Sequence, residues 1–306
     1  MAKLRRNYNK NSGVQSSGMI TKVGVFSLIL GALYFAFQKF TGGEPQPADV
    51  VIEDIPDIEA TDESDIYYLP TTSMGEVVKH KYYAMSYVEK YEQPEWVSYE
   101  LTKDRLYTKS VGRTNDFRPD SKVRTGSASL ADYRGSGYDR GHLVPAGDMG
   151  FDFTAMSETF YMSNMSPQKR NFNGGIWREL EELTRSWTKK FKHLYVVTGP
   201  VLTEEMIGYI GNNQVAVPSY YYKVVLDLSE PELKGIGYIM PNEVSDRPIH
   251  EYATSIDKVE QITGINFFAN LMEARLEEEI EKEFNTDLWF TDKKKYEKRV
   301  RQWNRR

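Results

Sequence analysis

The chain has 306 residues, no cysteine and a formal net charge of −5. That length allows one sizeable domain with extensions or two small ones. The absence of cysteine excludes disulfides and thiolate–metal centres, so any metal must take oxygen or nitrogen ligands. The net acidity argues against a nucleic-acid partner on totals alone, but the charge is segregated. Residues 1–41 hold six basic side chains and no acidic one, residues 42–66 hold nine acidic and no basic one, and the remainder carries about −2. A near-neutral domain leaves room for a local basic groove, although the totals show no electrostatic footprint of a nucleic-acid binder.

Residues 1–18 are basic, rich in Asn and Ser and aperiodic, and read as a disordered tail. An uncharged run over 23–37 lies between Lys22 and Lys39. Extended to 19–40 it approaches the roughly 17–25 residues of a membrane span. It predicts a transmembrane signal anchor, with the domain outside because the basic residues precede it. A cleaved signal peptide and a mitochondrial targeting sequence are the alternatives. Residues 41–70, acidic and with Pro45, Pro47 and Pro56, predict an extended linker.

The domain is expected over 71–288. Residues 77–87 and 96–102 alternate aromatic or β-branched with polar residues, as strands of a half-buried sheet do. Tyr82, Tyr83, Tyr87 and Tyr91 at this spacing predict sheet packing rather than a base-stacking platform. A short helical pattern covers 154–164. Ile176, Leu180, Leu183 and Trp187 predict an amphipathic helix over 176–190, opened by Gly174-Gly175. Strands are expected at 194–199, 218–228 and 234–240, and helices at 255–264, ending on Gly264, and at 270–285. Residues 289–306 are strongly basic and predict a tail, either solvated or holding an anionic partner.

The chemistry concentrates at 137–148, G-Y-D-R-G-H-L-V-P-A-G-D. Asp139, Arg140 and His142 place an acid, a guanidinium and an imidazole within four residues. Gly141 and Pro145 interrupt a helix, which predicts a strand end or turn. Of the four histidines, at 80, 142, 193 and 250, only His142 lies in such a polar motif. The rival reading is a structural hydrogen-bonding histidine.

Tyr138-Asp139-Arg140-Gly141-His142-Leu143 resembles the D-R-G-H signature of the non-specific DNA/RNA endonucleases. Further similar blocks lie at 132–137, 160–168, 171–181, 195–200 and 263–268, so the resemblance spans about 75–285. It implies an α+β fold: a mixed or antiparallel sheet flanked by helices, with a ββα-metal finger carrying the site. It implies His142 as general base, Arg140 as phosphate holder, and a functional arginine near 113, taken as Arg113 with Arg118 in reserve. Asn173 would ligate one hydrated Mg²⁺, with Mn²⁺ as an alternative, and Glu181 would hold a metal-bound water. Asp139 and Asn164 are supporting residues. Taken alone, Asn173 also reads as a helix cap and Glu181 as a solvated helix face. The implied substrate is DNA, RNA or both, and family members often dimerise. The rival functions are a catalytically idle nucleic-acid-binding relative and a phosphodiesterase acting on small diesters.

Overall fold

The computed structural model describes residues 68–305. Chain reversals rich in polar residues separate the β-prone runs, so the first expected strand is in fact a hairpin. Strands β1 (Glu76–Lys79) and β2 (Ala84–Val88) pair antiparallel, with Val78 opposite Met85. Then come β3 (Gln93–Thr102), the short helices α1 (Lys103–Tyr107) and α2 (Leu130–Tyr133), β4 (Asp139–His142), α3 (Phe153–Glu158) and β5 (Met165–Gln168). A π-helical turn at Phe172–Trp177, kinked at Gly175, leads into α4 (Arg178–Phe191). Strands β6 (His193–Pro200), β7 (Gly208–Ile210), β8 (Val215–Val217), β9 (Tyr220–Asp227), β10 (Lys234–Pro241) and β11 (Ala253–Thr254) follow. Helices α5 (Ile256–Thr263), α6 (Ala274–Lys282) and α7 (Lys293–Arg301) complete the order.

Seven strands form one antiparallel sheet in the order β1-β2-β3-β6-β9-β10-β11, while β4-β5 and β7-β8 form separate pairs. Successive strand residues point to opposite faces, and the core divides accordingly. Val196 and Val225 pack with Leu180, Leu183 and Trp187 of α4. Their neighbours Val197 and Val224 pack with Ile256 and Val259 of α5 on the other face. Gly235 and Gly237 let α5 lie close to β10: a Cβ there would sit 2.5 Å from Ile256 Cδ1 and 2.7 Å from Val259 Cγ2. Burying the aromatic and aliphatic side chains of these layers is the main favourable term, at about 1.5–3 kcal/mol each. Tyr83 and Tyr87 are buried in this packing.

Two expectations are corrected. Among the described residues no helix is long and apolar enough to cross a membrane. The α+β architecture therefore stands without the transmembrane helix, and the run 19–40 on which that expectation fell lies outside the described residues. Secondly, residues 289–304 are not a solvated end. Trp289 packs edge-on against Trp187, with ring centroids 5.1 Å apart, and Trp187 Nε1 donates to the Phe290 carbonyl at 2.7 Å. Arg299 is wholly buried; its Nε donates to Glu179 Oε2 at 2.6 Å, and its other nitrogens donate to the Ser245 and Arg247 carbonyls. The basic charge count concealed an amphipathic element whose arginine has a buried carboxylate partner.

Candidate active site

The strands β4 and β5 pair with Asp139 opposite Gln168, Gly141 opposite Ser166 and His142 opposite Met165. Gly141 is required sterically, because a Cβ there would lie 2.1 Å from Cδ of the buried Gln168 side chain. Alternation along β4 places Arg140 and His142 on one face and Asp139 on the other. On the first face, Arg140 stacks its guanidinium 4.2 Å from the Phe117 ring centroid, and His142 meets Phe117 and Phe160 edge-on. On the other, Asp139 accepts from Asn173 Nδ2 at 3.2 Å and faces Arg170 Nε at 3.5 Å. Asn173 is therefore inside the π-helical turn rather than a helix cap, and its amide is oriented by a carboxylate. A π-turn of this kind is a frequent device for aiming a side chain at a site.

The residues 143–164 that link the two strands are tied beneath the site by Asn164. Its Oδ1 accepts from Val144 N at 2.9 Å, and its Nδ2 donates to the Val144 and Thr159 carbonyls at 3.1 and 2.9 Å. This fully buried side chain replaces a missing strand ladder.

A cleft of about 930 Å³ opens over these elements and is lined by Arg113, Arg134, Arg140 and Arg170, with Asp139 and Asn173 on its wall. Four guanidiniums against one carboxylate give the local positive field that the net charge hid. Arg113 donates to Asn115 Oδ1 at 2.8 Å and lies 4.8 Å from the Phe160 ring centroid. Arg118, the reserve choice, is occupied by Asp116 at 2.7 Å and by the Asp116 and Ser157 carbonyls, so it has a structural role.

His142 is half-buried and is not one of the cleft-lining residues; it stands against Phe117, which lines the cleft, and feels the charges of Arg113 and Arg140. Burial, then the positive charges of Arg113 and Arg140, push its imidazole down to about 3, against a hydrogen bond to the Arg140 backbone. Its Nε2 is shielded and without a hydrogen-bond partner. The ring is thus neutral, with the backbone bond at one nitrogen and an unpartnered, shielded lone pair at the other. Glu181, on the first turn of α4, belongs to a charged cluster with Arg185, Lys223 and Asp148. Burial pushes its carboxyl up and the Lys223 ammonium down. Asp148 anchors the cluster, accepting from Tyr99 Oη at 2.8 Å and Arg185 at 2.7 Å. Glu181 also bears electrostatically on Arg113, which links the cluster to the cleft.

Arg113, Asp139, Arg140 and Asn173 thus share one cleft, His142 and Glu181 adjoin it through their charge contacts, and Asn164 lies below. The sequence reading missed Arg134, Arg170, Asp148, Arg185 and Lys223. The Lys169-Arg170 pair before the amide-rich loop was a usable signal for Arg170, whereas Lys223 sits in an ordinary strand alternation and gives none. A second constellation, His80–Asp120–Ser163, is wholly buried, with the aspartate between the other two at 3.0 and 2.6 Å. That order activates no nucleophile and admits no substrate.

For a metal, the cleft offers the Asn173 amide oxygen, whose Nδ2 is engaged by Asp139, and the one carboxylate Asp139 beside it. Hard oxygen donors suit Mg²⁺, which keeps several waters and needs few protein ligands. Among the described residues no group of three histidines or carboxylates gathers there. The fit is to a hydrated ion, not to a caged one.

The sequence profile of the DNA/RNA non-specific endonucleases matches residues 62–274. Mitochondrial endonuclease G of Homo sapiens is 33% identical over 219 residues, which cover 67% of this chain and 73% of that protein. The mitochondrial nuclease EXOG of Xenopus laevis is 34% identical over 258 residues, 77% of this chain and 68% of its own. Among solved structures, the EndoG/EndoGI complex contains a chain 35% identical that superposes with a TM-score of 0.61, covering 66% of this chain and 89% of that one. With the D-R-G-H strand, the amide-rich π-turn and the arginine-lined cleft in place, and with the profile covering more than half its length, the chain belongs to the DNA/RNA non-specific endonuclease family and is a nuclease.

Proposed function

We propose that the chain hydrolyses phosphodiester bonds in DNA, RNA or both without sequence preference, using His142 as the general base. The observation that carries this is the neutral imidazole with a shielded, unpartnered Nε2 beside the two arginines of the cleft. Arg113 and Arg140 hold the scissile phosphate and neutralise charge as the pentacoordinate phosphorane forms. Nε2 takes a proton from the attacking water, and the adjacent guanidiniums then raise the cost of the imidazolium, which favours its prompt deprotonation to solvent. Asn173 would hold Mg²⁺ or Mn²⁺, with Asp139 fixing its amide and Glu181 placed to hold a water of the hydration shell. That ion, when bound, supplies Lewis-acid assistance to the leaving oxygen. Contacts to phosphate carry no base information, so sequence preference is not expected. The relatives' names include mitochondrial proteins, which supports the targeting alternative for residues 1–40, and fractionation decides it.

Plasmid digestion tests the reading. With Mg²⁺ the chain nicks and degrades plasmid, EDTA abolishes this, and His142→Ala lowers the rate about 10²–10⁴-fold. Intact plasmid under Mg²⁺ and Mn²⁺ with a folded protein would overturn it, and cleavage of a chromogenic small diester alone would point to the small-diester reading.

A further inference from the structure

Helices α5 and α6 lie side by side on the sheet face that α4 does not cover, and they bring three carboxylates together away from the nuclease cleft. Asp257 and Glu260 stand one turn apart on α5, and Glu281 projects from the last turn of α6. One oxygen from each lies within 4.8 Å of the others. Proximity alone is common among acidic side chains. The distinguishing observation is Glu281, which is only 3% exposed and whose Oε1 has no hydrogen-bond partner. A buried carboxylate oxygen without a donor forgoes a stabilising contact, and here it faces two further acids rather than a base. No ion pair among the described residues involves any of the three. Glu260 spends one oxygen on Phe267 N at 2.9 Å and keeps the other free. Burial, followed by the charges of Glu260, Glu277 and Asp257, pushes Glu281 up to about 9.

We propose that Asp257, Glu260 and Glu281 form a calcium-binding site that ties α6 to α5 on the sheet face opposite α4. Only oxygen donors are present, with no imidazole, so a hard cation is required. Three carboxylates on two helices, two of them half-exposed, leave room for the waters that complete a six- to eight-coordinate Ca²⁺ and do not impose the tight octahedron that Mg²⁺ demands. The ion would displace the proton that Glu281 retains and neutralise the three carboxylates together, in place of the repulsion that ionising all three without a cation would cost. It would act on stability rather than on phosphodiester chemistry, so the site is separate from the candidate ion at Asn173.

The two sites are separated by substitution. The full chain carrying Asn173→Ala, stripped by chelation, is titrated with CaCl₂ and with MgCl₂ by calorimetry at pH 8, and its thermal unfolding is followed in parallel. The expected result is one Ca²⁺ site, with Mg²⁺ at least tenfold weaker, and a rise in Tm of about 5 °C or more at a hundredfold excess over Kd. Glu281→Gln in the same background should weaken Ca²⁺ at least tenfold and remove the rise, while its metal-free Tm equals or exceeds that of the parent. Asp257→Asn, at a half-exposed position, provides a second reading should the buried substitution fail to fold. Glu281→Gln with Asn173 intact keeps its plasmid cleavage. Absence of Ca²⁺ binding in the Asn173→Ala chain, or an affinity unchanged by both substitutions, would overturn the proposal and leave a proton shared between Glu281 and its neighbours as the compensating charge.

Discussion

At the scale of single residues, His142 shows how environment rather than motif sets chemistry. An imidazole in water titrates near 6.5. Here burial and two guanidiniums hold it down to about 3. Its proton NMR shifts should accordingly stay flat from pH 8 to about 4.5. Arg113→Leu should move the transition upward, since it removes one of the two positive neighbours; a wild-type midpoint near 6.5 would sink this account. The sign for stability follows. The unfolded chain binds a proton at this ring below about 6.5 and the folded one only near 3, so this group costs stability as pH falls through that window. Asn164 and Gly141 act differently, through shape. One supplies three hydrogen bonds to a loop without a ladder, and the other leaves space for Gln168.

At the scale of elements, the π-helical turn and the C-terminal helix form one structure. Asn304 lies against Gly175, where a Cβ would come within 2.7 Å of its Oδ1, and Arg178 stacks 4.2 Å from the Trp303 ring centroid. The turn that carries Asn173 is thus braced by a segment whose composition suggests only a basic tail. Trp303, 2% exposed, should cost about 3–5 kcal/mol when replaced by alanine, read as a lowered midpoint in urea. It should also raise the Mg²⁺ concentration needed for half-maximal cleavage. A substitution without effect on either would mean that residues 289–304 leave the domain in solution. Just before Trp303, α7 contributes Arg299 to Glu179, a buried pair whose rupture leaves an uncompensated charge.

At the scale of the whole molecule, the chain is acidic and its cleft is basic. Each guanidinium that neutralises a duplex phosphate adds about −0.9 to the slope of log K against log salt concentration. The four cleft arginines therefore predict a slope of about −3 to −4 for duplex binding by the His142→Ala chain. Arg134→Ala and Arg170→Ala should each reduce that slope by about one and weaken binding alike for all sequences. A slope that neither substitution alters would place the nucleic acid elsewhere on the surface.

By itself the sequence determined the periodic parts and the chemistry-bearing motif. The three- and four-residue apolar spacing of α4, the alternation over 96–102 in β3, the β-prone runs of β6 and β9, the glycine stop of α5, and the grouping of Asp139, Arg140 and His142 are all local patterns. Local patterns are legible because backbone geometry translates them directly into faces and turns. Only the tertiary structure decided the rest. Four arginines from separate segments had to converge before the cleft had a sign, and a lysine in an ordinary strand had to be buried beside Glu181 before it counted. The basic tail had to find Glu179 and Gly175, far away along the chain, before it became part of the domain. Summed charge and spacing along a chain carry no information about which distant residues meet, because packing of the two sheet faces sets those contacts after the local elements have formed.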